Sequence, residues 1–232
     1  MVPPDHRQAL VAKANQLWHT DSSFKAMPAL ASVLSAQVIP PRGGETEFAS
    51  TRLAWQRLPA DLRARLAEAF AWHDYAHSLD KISPDLVTPA ERESLPPVRW
   101  RMAWRNPANG EVSLYIASHA FAIDGMANAE AQNLLATLIE QATGPAHTYL
   151  HCWREGDVIL WDNRATLHRG RPWPDGLPRH VVRTTVSATE ADGLASVRPE
   201  NSAALAMPAL RACSAGRRQG SNRSVRHRDA GL

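Results

Sequence analysis

In the segment Asn15-Gln16-Leu17-Trp18-His19-Thr20-Asp21, an imidazole and a carboxylate stand two residues apart. Side chains alternate along an extended chain, so His19 and Asp21 share a face roughly 7 Å apart while Thr20 points away. One metal ion can then meet both. The best candidate for a third ligand is His168, in Trp161-Asp162-Asn163-Arg164-Ala165-Thr166-Leu167-His168. Two His and one carboxylate on one face of an ion leave further coordination positions open, as in non-haem Fe(II) oxygenases. The same donors can hold Zn2+ with an open water position, so a zinc hydrolase is the alternative chemistry. Alone, His-x-Asp is a weak signal, because such a tripeptide is common by chance and roughly nine in ten are satisfied surface or supporting histidines.

A second pair of residues adds weight. Arg179 and Arg183 lie four apart in the Val-rich run Arg-His-Val-Val-Arg-Thr-Thr-Val, so in a strand both project to one side. Two guanidiniums on an inward face are costly unless anions meet them. A dicarboxylate co-substrate and an anionic substrate would each occupy one Arg. The alternative is that protein carboxylates on a solvated strand face pair with both.

These residues need elements to carry them. Residues 1–16 read as a polar, helical lead-in, and 17–24 as a strand. Residues 29–40 read as a buried strand ended by Pro40-Pro41 and a Gly43-Gly44 turn. Leu62, Leu66 and Phe70 recur every four residues, which predicts an amphipathic helix between 58 and 75. The Pro-rich, charged stretch 80–97 reads as a long surface loop suited to act as a lid. Strands are expected over 98–105, 113–118, 148–153, 158–162, 166–169 and 179–188. A helix is expected over 128–143, with Asn128 as its N-cap and Gly144 just beyond its end. Many short strands with two helices predict a mainly β, α+β chain, a barrel or jelly roll.

Hydrophobic content of 44% with eight Trp supports a packed core. No apolar run approaches the length that crosses a bilayer, and the first ten residues lack a signal-peptide core, so no membrane partner is expected. Cys152 and Cys213 stand far apart with no CxxC, which excludes a disulfide framework and fits a cytoplasmic setting. The net charge of +3 is unevenly spread. From Arg198 onward seven Arg face Glu200 and Asp229, a net +5, so the other 197 residues carry −2. The basic tail lacks interleaved aromatics, and no nucleic acid is expected as a partner. Residues 1–190 are read as one domain and 191–232 as a disordered basic tail. Self-association into a homo-oligomer is compatible with this composition. Of the remaining histidines, His119 could line a substrate pocket or play a structural part. His73 and His77 read as a solvated helix end, and His147 and His151 as structural residues with no acidic partner nearby. Trp104 and Trp161 read as core.

Taken in order, Asn15…Trp18-His19-Thr20-Asp21, Gly43-Gly44-Glu45-Thr46, Trp161-Asp162-Asn163-Arg164…His168, and Arg179 with Arg183 resemble the TauD/TfdA family of Fe(II)- and 2-oxoglutarate-dependent dioxygenases. Leu-Trp-His-Thr-Asp-Ser-Ser-Phe, Gly-Gly-Glu-Thr-Glu-Phe and Tyr-Ile-Ala-Ser-His-Ala lean toward its 2,4-dichlorophenoxyacetate branch. The resemblance covers about residues 10–190. It implies a double-stranded β-helix, with His19, Asp21 and His168 as iron ligands and Thr46 and Arg179 on the distal carboxylate of 2-oxoglutarate. Arg183 would face the anion of the substrate, a small organic acid such as an aryloxyalkanoate or a sulfonate, and Asn15 matches a family position near co-substrate and substrate; His119 is a substrate-pocket candidate from its own segment alone. O2 would be the third reactant. Only eighteen residues precede His19, fewer than the family carries there. The resemblance therefore implies a jelly roll incomplete on its N-terminal side, and a catalytically impaired remnant acting as a binding module is the alternative to an active enzyme.

Overall fold

The computed structural model describes residues 6–84 and 86–199. Its centre is a pair of three-stranded antiparallel sheets. In the first, β1 (Ala29–Val38) lies between β11 (His180–Ser187) and β9 (Val158–Asp162). In the second, β2 (Thr46–Ser50) lies between β10 (Thr166–Gly170) and β8 (Thr148–His151). A third sheet orders β4 (Val98–Arg101), β3 (Phe70–His73) and β7 (Ala120–Ile123), and β5 (Ala103–Arg105) pairs with β6 (Val112–Leu114). Strand pairs distant in sequence, such as β1 with β11 and β2 with β10, are the crossed connections of the expected jelly roll.

Helices close the ends. The longest, α6 (Asn128–Ala142), buries Ala131, Leu135, Leu138 and Ala142 against Ala54 and Trp55 of α2 (Thr51–Arg57) and against Leu114 and Leu167. Its N-cap is Ala127, so Asn128 is the first helical residue and accepts from Gln132. A short α1 (Arg7–Lys13) runs into a 3-10 turn at Ala14–Gln16, matching the predicted lead-in.

Several sequence expectations need correction. The helix predicted across 58–75 is α3 (Ala60–Glu68) and stops before Phe70, because Phe70, Ala71, Trp72 and His73 alternate in burial as the central strand β3. The stretch 80–97 is not an open lid. It continues from α4 (Tyr75–Asp80) to α5 (Pro89–Ser94), where Thr88 and Glu91 cap each other across Pro89, a signal present in the sequence. Leu86 and Val87 are buried with Ala76 and Leu79, and Leu10 and Val11 of α1 pack on them. Ordered packing also runs past residue 190, since α7 (Leu194–Val197) buries Leu194 and Val197 beside Trp100, Trp104 and Tyr115. The remainder of the predicted tail, residues 200–232 with Cys213, lies outside the described residues. Among the described residues no helix is long and apolar enough to cross a membrane.

Candidate active site

Residues 17–24 are not the predicted strand. They touch the second sheet through a single antiparallel bridge, in which His19 N–H donates to the His168 carbonyl (3.0 Å) and His168 N–H to that of His19 (2.8 Å). On the other side the Trp18 carbonyl accepts from Ser118 N–H at 2.9 Å. The ladder stops at Asp21 because its N–H is taken by the Asn163 side chain (3.1 Å), and Ser22 then turns the chain with φ +58°. This one bridge is enough to bring His19 and His168 together, 149 residues apart in sequence.

The donor atoms of His19, Asp21 and His168 all lie within 4.8 Å of one another, and the three residues are buried. His19 Nδ1 meets the Leu17 carbonyl at 2.7 Å, which places the proton there and leaves the Nε2 lone pair facing Asp21 Oδ1 at 3.8 Å. His168 Nε2 is 3.8 Å from Asp21 Oδ2, while its buried Nδ1 has no hydrogen-bond partner among the described residues. The rings of Trp161 and Phe48 wall His168 in. Burial lowers the pKa of both imidazoles, and that of His168 falls well below its usual value. At Asp21 burial favours the neutral acid, but His168, His19, Arg183 and the Ser32 hydrogen bond outweigh it and hold the carboxyl below its ordinary range. Two neutral imidazoles and one carboxylate are the protonation states a divalent metal needs.

Two cavities meet at this cluster and share Asn15, His19 and Arg183. The smaller, about 230 Å³, lies between the two main sheets and reaches Thr46, Trp161, His168 and Arg179. Thr46 is buried at the start of β2, and its Oγ1 accepts from Trp153 Nε1 at 2.9 Å, so its own hydroxyl hydrogen is free to donate. Arg179, just before β11, donates from Nε to the Gly44 carbonyl at 3.2 Å and lies over the Trp173 ring. Gly44 has φ +75°, and a Cβ there would come within 2.9 Å of Arg179 Nε, so the Gly43-Gly44 turn is what lets the arginine lie flat. Burial lowers the Arg179 pKa, opposed by Glu45.

The larger cavity, about 310 Å³, extends toward α1 and α4 and is lined by Val11, Phe24, Lys25, Tyr75, Leu79 and His119 among others. His119 Nδ1 meets Ser23 Oγ at 3.1 Å, and its ring packs on Phe24. Arg183 stands where the cavities join. Its Nη1 donates to Asp21 Oδ1 at 2.8 Å, so the anion it meets here is a protein carboxylate, as one of the two sequence readings allowed. All eight sequence-predicted site residues thus converge on the cluster or its two cavities. Ser32, Asn163, Trp153, Lys25 and Tyr75 join them without having been given a role. Asn163 lies inside the Trp161–Arg164 motif, yet only the fold shows what its amide touches.

Other histidines fall differently from expectation. His73 is fully buried in β3 rather than at a solvated helix end, with neither ring nitrogen hydrogen-bonded among the described residues, and stacks on Tyr115. His77, in α4, packs on Phe121, and its pKa is pushed down to about 4 by burial and Lys81. His151 does have an acidic partner, Asp157 Oδ2 at 3.1 Å.

The profile described as "Taurine catabolism dioxygenase TauD, TfdA family" matches residues 1–185. The chain is 41% identical over 181 residues to the alpha-ketoglutarate-dependent 2,4-dichlorophenoxyacetate dioxygenase of Burkholderia sp. (strain RASC), covering 78% of this chain and 61% of that protein. It is 38% identical over 170 residues to the (S)-phenoxypropionate/alpha-ketoglutarate-dioxygenase of Sphingobium herbicidovorans, covering 70% and 59%. Its backbone superposes on the crystal structure of AAD-2 in complex with Mn(II) and N-oxalylglycine with a TM-score of 0.75 at 38% identity, over 79% of this chain and 73% of that one. The chain spans about three fifths of the length of the curated relatives it matches. With the motifs now assembled around one donor cluster, the chain belongs to the taurine and 2,4-dichlorophenoxyacetate dioxygenase (TauD/TfdA) family.

Proposed function

We propose that this chain carries the active site of an Fe(II)- and 2-oxoglutarate-dependent dioxygenase that hydroxylates a small organic anion. An aryloxyalkanoate-like carboxylate is the first choice of substrate and a sulfonate the second. The observation that carries this reading is the junction itself, where two cavities, each reached by an arginine, open onto one His/Asp/His cluster. A zinc hydrolase would need the cluster and one cavity, and would leave Thr46 and Arg179 without a role.

In this reading His19, Asp21 and His168 hold the iron. When bound, iron supplies the activation of O2, coupled to oxidative decarboxylation of 2-oxoglutarate to succinate and CO2 and to hydroxylation of a substrate C–H bond. The chain's own work is binding and orientation. Arg179 and the Thr46 hydroxyl receive the distal carboxylate of 2-oxoglutarate in the smaller cavity. Trp161 and Leu34 wall its carbon chain. Arg183, turning from Asp21 into the larger cavity, takes the substrate anion, and Phe24, Tyr75 and Leu79 take its apolar body. His119 and Asn15 border that space and position the substrate by hydrogen bonds. Hydroxylation of a carbon bearing an ether oxygen gives a hemiacetal, which breaks into a carbonyl compound and an alcohol or phenol. Support from the relatives is the shared family, and two of them are named for phenoxyalkanoates.

The test is succinate formation with Fe(II) and 2-oxoglutarate across phenoxyacetates, 2-phenoxypropionates, taurine and neutral ethers. Stimulation by the aryloxy acids is expected. Stimulation by neutral ethers alone would overturn the anion reading, and absence of any 2-oxoglutarate turnover would favour the binding-module alternative.

A further inference from the structure

Asp21 has two carboxylate oxygens, and the fold treats them differently. Oδ1 accepts from Arg183, whose side chain is 49% exposed and free to swing away. Oδ2 accepts from Ser32 Oγ at 2.6 Å, and Ser32 is fully buried in the middle of β1, paired with Trp161 on one side and Thr185 on the other. Ser32 Oγ in turn accepts from Asn163 Nδ2 at 2.9 Å. Asn163 Oδ1 accepts from Asp21 N–H (3.1 Å) and Trp161 Nε1 (3.0 Å), two donors that fix which end of the amide is oxygen. The amide nitrogen must therefore face Ser32. Because the serine oxygen already accepts from that nitrogen, its single hydrogen is left for Asp21 Oδ2. The direction of every hydrogen bond in the chain Asn163, Ser32, Asp21 is thus determined, and none of the three can move without leaving a buried polar group unpaired.

Both oxygens face the cluster, Oδ1 at 3.8 Å from His19 Nε2 and Oδ2 at 3.8 Å from His168 Nε2, and we infer that Ser32, oriented by Asn163, is a positioning residue whose hydrogen bond withholds Oδ2 and so keeps Asp21 a one-oxygen ligand through Oδ1. The inference rests on the reading of His19, Asp21 and His168 as metal ligands. Its consequence is a matter of counting. Two imidazole nitrogens and one carboxylate oxygen leave three positions of a six-coordinate ion open, enough for a chelating co-substrate and one more reactant. A two-oxygen aspartate would leave two, too few for both. Arg183 is the releasable neighbour that vacates Oδ1, and Ser32 is the permanent one.

The experiment uses the full chain and Mn(II) alone, with water-proton relaxation and Mn(II) titration reading the number of metal-bound waters and the affinity. The wild type should bind Mn(II) with three waters. Ser32→Ala should show about two and a several-fold change in affinity, because the freed Oδ2 can swing onto the ion. Ser32→Cys, which keeps the volume but donates weakly, should fall between them, and it carries the test should the alanine variant not fold. A folded Ser32→Ala or Ser32→Cys with three waters and unchanged affinity overturns the inference while leaving the metal centre standing. A wild type that binds no Mn(II), or binds it equally well with Asp21 replaced by Ala, overturns the metal reading and this inference with it.

Discussion

The two cavities that share His19 and Arg183 are built from different material. The smaller is walled by strands: Leu34 of β1, Thr46 of β2, His168 of β10 and Val181 and Arg183 of β11 all sit in hydrogen-bonded ladders. The larger is walled by two short helices, a helical turn and a loop, through Val11, Tyr75, Asn15, Phe24 and Lys25. A ladder fixes a side chain through its register, and a slip of one residue would turn it to the other face. A loop or a two-turn helix fixes a side chain only through local packing. In the proposed reading this suits the smaller cavity to an invariant co-substrate and the larger one to setting substrate identity.

The largest effect should strike both sides equally. Partners beyond the direct ligands are worth about 10–100-fold in metal affinity, so removing a ligand should cost more than about a hundredfold. His19→Ala, Asp21→Ala and His168→Ala should each abolish 2-oxoglutarate decarboxylation and the visible band that Fe(II) with 2-oxoglutarate gives under anaerobic conditions. Retention of both band and turnover in Asp21→Ala would break the comparison at its root, because the cavities would no longer share a centre.

The same contrast explains what was legible in the sequence. Arg179 and Arg183 are readable because a four-residue spacing has a fixed meaning in a strand, whereas His168 is reached only as the third ligand that His19 and Asp21 call for; β10 and β11 form close to where they are expected. His19 and Asp21 do come together, but not as alternating residues of a strand. Their segment is a single bridge followed by a tight turn, and Asn163, from 142 residues away, takes the N–H that a strand partner would have used. The larger cavity was nearly invisible. Phe70 extended a helical period into what is a strand, and the capping box at Thr88 and Glu91 passed as loop. Lys25 and Tyr75 reach the site only because α4 folds back beside residues 21–25. Ser32 was unreadable for a different reason: a buried serine in a strand has no local pattern, and its meaning lies wholly in its long-range partners.

The two arginines give the next sharpest division. Arg179→Ala should raise the 2-oxoglutarate requirement by roughly 10–150-fold, since a charge-assisted hydrogen bond is worth about 1.5–3 kcal/mol. Arg183→Ala should act on the other side. It should weaken the prime substrate about tenfold or less, in keeping with a half-exposed side chain, and leave uncoupled 2-oxoglutarate decarboxylation comparatively intact. Saturation curves for both compounds in both variants decide this. Equal losses in 2-oxoglutarate affinity, with no selective loss for the substrate, would merge the two cavities into one functional space.

The smallest effect concerns acid. The wall behind the larger cavity holds buried imidazoles, whereas the smaller cavity adds only His168 to the shared His19. His73 lies in β3, next to Asp74, whose N–H donates to the His119 carbonyl at the cavity wall. Burial with no hydrogen-bond partner pushes the His73 pKa down to about 3. The unfolded chain titrates near 6.5, so between about 6.5 and 3 the unfolded state binds the proton and the folded state does not. Stability is therefore highest above pH 6.5, falls as the pH drops, and levels off for this group below about 3. The slope reaches about 1.4 kcal/mol per pH unit, which is about 1 kcal/mol between pH 6 and 5. His73→Phe keeps a ring against Tyr115 and removes the titration, so urea midpoints measured at pH 7, 6 and 5 should decline less steeply than in the wild type. His77, pushed down to about 4, should sustain part of the remaining slope. Protection from hydrogen exchange, corrected for the intrinsic rate at each pH, should fall at pH 5 in β3 and α4 before β11, because the buried His73 and the half-buried His77 lie in those two elements. Identical pH slopes in wild type and His73→Phe would show that the larger cavity's wall owes nothing of its acid sensitivity to this imidazole.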